Sequence, residues 1–378
     1  MKEKLKLLTF DTQSATTLSL IRNLGQQGIE ILLVKDKKNS IKSLNEKSKY
    51  IKEIKKITWH DEDKEQFIDD LINIGKKDSY IIIAADDNIN SIICNNFSVL
   101  NKYFKLPYKN ADIIKSNIDK KLFYNLMKEK NIVIPKTIFV NKEDDLVYIK
   151  QNFKFPIILK PNKMYNKIFR NIFGDKYYKI DSYEELQSFK NDILKLYGDL
   201  IIQECVNYKK SLCVYGFFNN EFKKVNVLKK DLLGEGGTTV LGHLIKDENI
   251  IYLSNNILKN IDYNGFAELE FLYDEDNKEY KLLEINTRPV QWCSITKYVN
   301  NSCEVYPFDE SDKLKVKNKD LYIYYESGLI ELYKQKKISL NKFLKIMFGY
   351  KYKSMFSDYK DLRPTIRYKL RCLKQILK

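Results

Sequence analysis

The chain has 378 residues, 44% of them apolar and 13% aromatic, enough to fill two or three hydrophobic cores and too apolar for general disorder. Six cysteines without a C-x-x-C pair, and only two histidines, exclude a disulfide scaffold and a zinc site and fit a reducing cytosol. The formal net charge is +16, but residues 311–378 hold 18 Lys and Arg against 6 Asp and Glu, a net of +12. The remaining body is close to balanced, so no sequence-specific nucleic-acid partner is expected. The start, MKEKLKLLTF, runs straight into a strand and no stretch of about 18 apolar residues follows, so neither a signal peptide nor a membrane span is expected.

Residues 5–10 (LKLLTF) read as a buried strand, 14–24 as a helix opened by a Ser14 cap, and 30–36 as a second strand after Gly25 and Gly28 close the helix. This β-α-β run predicts a parallel, doubly wound sheet over residues 1–108. The first turn, FDTQSA, lacks G-x-G-x-x-G, so a dinucleotide site is not implied. SYIIIAADDN (79–88) reads as another strand, ending in Asp86 and Asp87, for which a helix cap or turn is the first reading and a substrate contact the second. The helix Lys120–Lys130 must stop before Pro135. FPIILKPNK (155–163) is an apolar strand ending in Lys160, which must reach a charge or water. Next come a basic segment at 162–175, a capped helix over 181–198 and a strand, LIIQECV, at 200–206. SLCVYGFFNNEFKKVNVLKK (211–230) alternates into two strands around Asn219-Asn220, Gly234, Gly236 and Gly237 mark a flexible loop, and 250–265 reads as a helix ending at Gly265.

FAELEFLYDEDNKEYKLLEINTRP (266–289) is the most informative stretch. It predicts a hairpin of Phe266–Tyr273 and Tyr280–Arg288 joined by a polar turn. Alternation puts Glu268 and Glu270 on one face of the first strand, and Glu284, Asn286 and Arg288 on one face of the second. With the turn centred on Asn277, Glu270 lies opposite Glu284 and Glu268 opposite Asn286. Like charges across a sheet are destabilising, and a hard divalent cation with oxygen ligands is the economical compensation. The bland alternative is an exposed hairpin with a solvated acidic face.

Glu270 followed after fourteen residues by Glu284-Ile-Asn286-Thr-Arg288-Pro289 resembles the metal and phosphate motif of the ATP-grasp superfamily, ADP-forming ligases that join a carboxylate to an amine. The resemblance covers roughly residues 106–303 in motif detail. It implies an α/β architecture: the pre-ATP-grasp domain at 1–108, a two-lobed α+β ATP-grasp domain at 109–303 (first lobe 109–205, second 206–303), and a basic helical extension at 304–378. It further implies ATP and Mg²⁺ as cofactors, with Mn²⁺ as a substitute, and Glu270, Glu284 and Asn286 as metal ligands. Lys120 and Lys160 match the phosphate-contacting lysines. Gln203, Glu204 and Val206 match the hinge beside the adenine, and Lys210 stands near the position where relatives place a carboxylate on the ribose. Gly236 and Gly237 match the acceptor loop, and Arg288 would meet the phosphates. Lys163, Lys167 and Arg170 are side-chain candidates for phosphate in a loop that is glycine-poor, and Trp292 is placed near the acceptor pocket. The implied reaction is ATP-dependent ligation of a carboxylate to an amine, in particular an amino acid, through an acyl phosphate, as in peptide or cell-surface precursor synthesis. Small-molecule substrates and a homodimer are the implied partners.

Two rival readings accompany this one: a catalytically weak nucleotide-binding scaffold, motivated by Lys210 and the glycine-poor loop, and a polyanion binder, motivated by the basic tail. In the tail, amphipathic helices interrupted at Gly349 and Pro364 are expected. Packing on the body with lysines in water comes first, and contact with an anionic membrane surface second, which would make a cytoplasmic protein peripheral at the inner membrane.

Overall fold

The computed structural model describes residues 5–40, 42–162, 166–310, 317 and 320–377. The N-terminal part runs β1 (Lys6–Phe10), α1 (Ala15–Gly25), β2 (Ile31–Asp36), β3 (Ile51–Ile57), α2 (Lys64–Gly75), β4 (Tyr80–Ile82), α3 (Asp87–Asn95) and α4 (Phe97–Leu100). Its four strands are all parallel in the order β3-β2-β1-β4. The apolar runs of β1 and β2 are buried, as strands covered on both faces must be. Ser14 caps α1 by accepting from Thr17 N at 3.1 Å. Asp86 caps α3 by accepting from Asn88 N at 2.9 Å and Ile89 N at 3.2 Å. The strand expected over 79–88 is therefore only three residues long, because its carboxyl end turns into a helix cap.

Helices α5 (Ala111–Ile118) and α6 (Lys120–Glu129) lead into a lobe of β5 (Thr137–Val140), α7 (Asp144–Asn152), β6 (Ile157–Pro161), α8 (Lys167–Phe173), β7 (Tyr178–Ile180), α9 (Tyr183–Ser188), α10 (Lys190–Leu194) and β8 (Leu200–Glu204). Its sheet is antiparallel in the order β5-β8-β6-β7 and has its own core, with Ile149, Leu159 and Phe169 fully buried. The single helix expected over 181–198 is two short ones, broken at Phe189.

The rest of the chain builds one seven-stranded sheet. It contains β9 (Tyr208–Asn219), β10 (Glu221–Leu233), β11 (Thr239–Ile245), α11 (Glu248–Asn260), β12 (Gly265–Asp274), β13 (Glu279–Asn286), β14 (Tyr322–Tyr324), α12 (Glu326–Lys334), α13 (Leu340–Phe348), β15 (Tyr352–Ser354) and α14 (Leu362–Leu377), with sheet order β13-β12-β9-β10-β11-β14-β15. Asn220 takes the left-handed turn between β9 and β10 at φ 62°, as Asn tolerates. After β13, Gln291–Val299 is a 3₁₀ helix.

The tail differs from a purely helical extension. Among its described residues are the helices α12, α13 and α14, but β14 and β15 also lengthen the large sheet. Gly349 ends α13, whereas Pro364 lies in the first turn of α14, where its missing N–H costs nothing. Arg22 of α1 is buried and donates from Nε to Asp361 Oδ2 at 2.9 Å and from Nη1 to Phe356 O at 2.6 Å. Two hydrophobic clusters run without a break through the N-terminal sheet and the large sheet, and the second also takes in the tail. The β5–β8 lobe is thus the separately cored body, and the cleft opens between it and everything else. Among the described residues, no helix is long and apolar enough to cross a membrane.

Candidate active site

Strands β12 and β13 pair with Glu270 opposite Glu284 and Glu268 opposite Asn286, as expected, although the turn is centred between Asp276 and Asn277 and not on Asn277, and a bulge at Leu283 restores the expected register. Asn286 Nδ2 donates to Glu284 Oε1 at 3.1 Å and to Glu268 Oε2 at 3.0 Å. Trp292 Nε1 donates to Glu268 Oε1 at 2.5 Å, and Lys230 of β10 pairs with Glu270. Burial pushes Glu270 up to about 8 against the pull of Lys230, and burial also raises Glu268. Burial opposes the charge on Glu284 as well, but Lys230, the Asn286 hydrogen bond, Lys120 and Lys160 together hold it below the usual carboxylate value.

Three carboxylates around one ammonium leave a site short of positive charge. The donors it offers, carboxylate and amide oxygens, fit a hard divalent cation such as Mg²⁺. Cys213 Sγ falls within 4.8 Å of the Glu268 and Glu270 oxygens, but burial keeps this thiol neutral and it is the wrong donor for such an ion.

The opposite wall is cationic. Lys120 is the first residue of α6, whose start is capped by Asp119 accepting from Lys121 N at 2.9 Å. Its ammonium donates to Pro161 O at 3.0 Å. Lys160, on β6, donates to Tyr124 Oη at 2.6 Å and to Gln203 Oε1 at 2.9 Å. Burial lowers both lysines to about 8, with the charge of Lys160 adding to the effect on Lys120. Neither meets a carboxylate within 4.0 Å among the described residues. The two lysines and the acidic hairpin face each other across a cleft of about 620 Å³, which Gln203, Glu204, Val206, Gly236 and Gly237 also line. Gly236 holds φ 61° while its N–H donates to Asp175 Oδ2 at 2.9 Å, and an added Cβ would sit 2.9 Å from Lys176 Cδ. The left-handed φ favours glycine here, whereas the flexible end of Lys176 could give way to a Cβ. Glu204 is ion-paired with Lys281 at 2.6 Å and accepts from Lys136 N at 2.8 Å, so its carboxylate already has partners within the hinge.

Three sequence-based expectations need correction or restriction. Lys210 does not line the cleft. Ser211 pairs with Leu272 and lines the cleft, so alternation turns its neighbour Lys210, paired with Tyr273, to the other face, with its ammonium over the Tyr273 ring, 5.5 Å from the centroid; a bulge at Lys209 then returns Tyr208 to the cleft side. Arg288 lines the cleft, but its fork is bound to Asp87 of α3, Nε to Oδ1 at 2.6 Å and Nη2 to Oδ2 at 2.8 Å. It thereby joins the N-terminal domain to the acidic hairpin and borders a second pocket of about 400 Å³ with Ser14, Asp86, Asp87 and Gln291. Of the basic loop, Lys163 lies outside the described residues, and Lys167 and Arg170 are on α8, away from the cleft lining. Lys230 is the main residue that sequence reasoning missed: alternation along VLKKDLL assigns one of its two lysines to each face but does not say which face meets the hairpin.

No protein-family model matches the chain. It is 27% identical over 245 residues to D-aspartate ligase of Enterococcus faecium (strain Aus0004), a match covering 59% of this chain and 58% of that protein's own length. In structure it resembles N5-carboxyaminoimidazole synthetase from Staphylococcus aureus complexed with ADP, with TM-score 0.67 and 14% identity over 89% of this chain and 87% of the other. It also resembles the L-amino acid ligase from Bacillus licheniformis, with TM-score 0.61 and 12% identity over 83% and 76% of the two chains. These likenesses show that the chain shares the fold of the synthetase and the L-amino acid ligase.

Proposed function

We propose that the chain is an ADP-forming ligase that joins a carboxylate to an amine, with an amino acid among its substrates. The observation that carries this reading is the cleft itself, in which Glu270, Glu284 and Asn286 face Lys120 and Lys160 with room for a nucleotide between them. Bound ATP with Mg²⁺ supplies the phosphoryl group that converts the substrate carboxylate into an acyl phosphate, which the amine nitrogen then attacks, forming the C–N bond and releasing phosphate. Glu270, Glu284 and Asn286 would hold the cation. Lys120 and Lys160 would neutralise phosphate oxygens, and Val206, which lines the cleft just past the end of β8, would flank the base. Lys230 pulls Glu270 toward its ionised form against the rise that burial imposes, and a bound cation would act in the same direction. No side-chain nucleophile is needed, because the work is positioning and charge neutralisation.

D-Aspartate is the first substrate to test, on the strength of the Enterococcus faecium relative. Incubation with ATP, Mg²⁺, D-aspartate and hydroxylamine is expected to release ADP and to yield the hydroxamate, since hydroxylamine captures an acyl phosphate. Other amino acids run in parallel report the breadth of the site. ADP release that ignores the carboxylate, or none with any carboxylate, sinks the ligase reading and leaves a nucleotide-binding scaffold.

The depressed lysines make a second prediction. In the free protein both titrate near 8, and a bound polyphosphate raises them. Affinity for Mg-ADP should therefore be flat below pH 7 and decline as pH rises through 8, by up to about tenfold per pH unit for each lysine. Calorimetry at pH 7 to 9.5 should show proton uptake on binding near pH 8, and Lys160→Met should weaken the dependence. A pH-independent affinity would mean that neither ammonium contacts the phosphates.

A further inference from the structure

We propose that α14 is a membrane-docking helix that lays its outer face on an anionic lipid surface. At about 100° per residue, Leu362, Ile366, Leu370, Leu373 and Leu377 fall in one band roughly 80° wide. All five are exposed, from 54% at Leu370 and Leu373 to 86% at Leu377. Beside this band, and on one side of it, lie Arg363, Arg367, Arg371 and Lys374, which make no ion pair among the described residues. The opposite face is committed to the body: Pro364, Tyr368 and Cys372 are buried, and Tyr368 stacks on Phe356 with ring centroids 3.9 Å apart. The helix is therefore fixed in place with an apolar stripe turned outward, an arrangement that water does not favour.

Charge decides the occupant. An apolar band flanked by cations matches the boundary between acyl chains and anionic headgroups, where leucines insert and arginines meet phosphate. A second copy of this chain would bring the same basic band and a tail of net charge +12 against its own kind. The helix has 16 residues and is not apolar enough to cross a membrane, so the contact is one of lying on the surface.

The test is co-sedimentation of the full-length protein with vesicles of phosphatidylcholine alone and of phosphatidylcholine mixed with phosphatidylglycerol. Binding to the mixed vesicles is expected, with weak binding to phosphatidylcholine and a decline as salt is raised. Leu370→Glu with Leu373→Glu should lower partitioning at least about tenfold, as expected for carboxylates placed among acyl chains. Arg371→Gln with Lys374→Gln should reduce the preference for the anionic lipid. Both pairs are exposed, so an unchanged thermal transition confirms intact folding. The proposal is overturned by absence of vesicle binding, by binding that survives the leucine substitutions, which marks a purely electrostatic polyanion surface, or by a dimer that those substitutions dissolve.

Discussion

Glu284→Ala is expected to lower carboxylate-dependent ADP release by about 10²- to 10³-fold, the loss typical of removing one preorganised charge-stabilising group. In the proposed reaction the side chain would hold the metal together with Glu270; it accepts from Asn286 Nδ2 at 3.1 Å, and its charge acts on Lys120 and Lys160. Its removal should not harm the fold. Glu270 stands directly opposite, and deleting one of two facing carboxylates relieves repulsion worth roughly 0.2–1 kcal/mol. The unliganded thermal transition should stay where it is or rise slightly. Mg-ADP at about 100 times its dissociation constant should stabilise the wild type by about 2.7 kcal/mol and leave the variant unmoved. Wild-type ADP release from the variant would place the metal elsewhere.

Arg22→Met should destabilise the protein by about 3–5 kcal/mol, because it leaves Asp361 buried without its counter-charge. Arg22 is 1% exposed and Asp361 2%, and the guanidinium also donates from Nη2 to Thr365 Oγ1 at 3.1 Å. Ser48 Oγ and Lys49 N donate to the same carboxylate at 2.8 Å and 3.0 Å, so one acidic side chain ties the N-terminal domain to the start of α14. Chemical unfolding gives the magnitude, and limited proteolysis should show new cleavage after β15 before the body is cut. A second variant, Arg22→Met with Asp361→Leu, should recover much of the loss, since replacing both members of a buried pair by apolar groups is often close to neutral. A loss below about 1 kcal/mol in the single variant would mean that water reaches the pair.

The hairpin was legible because its information is local. Carboxylates at alternate positions share a face whatever the surroundings, and burial of Leu269, Phe271, Leu282 and Ile285 restricts the register, although the bulge at Leu283 that aligns Glu270 with Glu284 was not legible. The Ser14 and Asp86 caps were legible for the same reason, since each bonds a backbone N–H within three residues. The parallel N-terminal sheet followed from the order of its apolar runs, and the lysine at the end of β6 from the cost of burying an ammonium without a partner.

What the local pattern determined, then, was the list of groups and the strands that carry them: the Glu270, Glu284 and Asn286 set, Lys160 at a strand end, and a basic amphipathic tail. Tertiary structure alone decided how those groups are spent. The register of β9 on β12 put Ser211 on the cleft face and so turned Lys210 away, and Lys230, 40 positions before Glu270, brought its ammonium onto that carboxylate. Arg288 closed on Asp87 across 201 residues of sequence, and the tail yielded two strands to the large sheet. Each of these depends on which face of one element meets a distant one, and a shift of a single residue in a strand reverses that face.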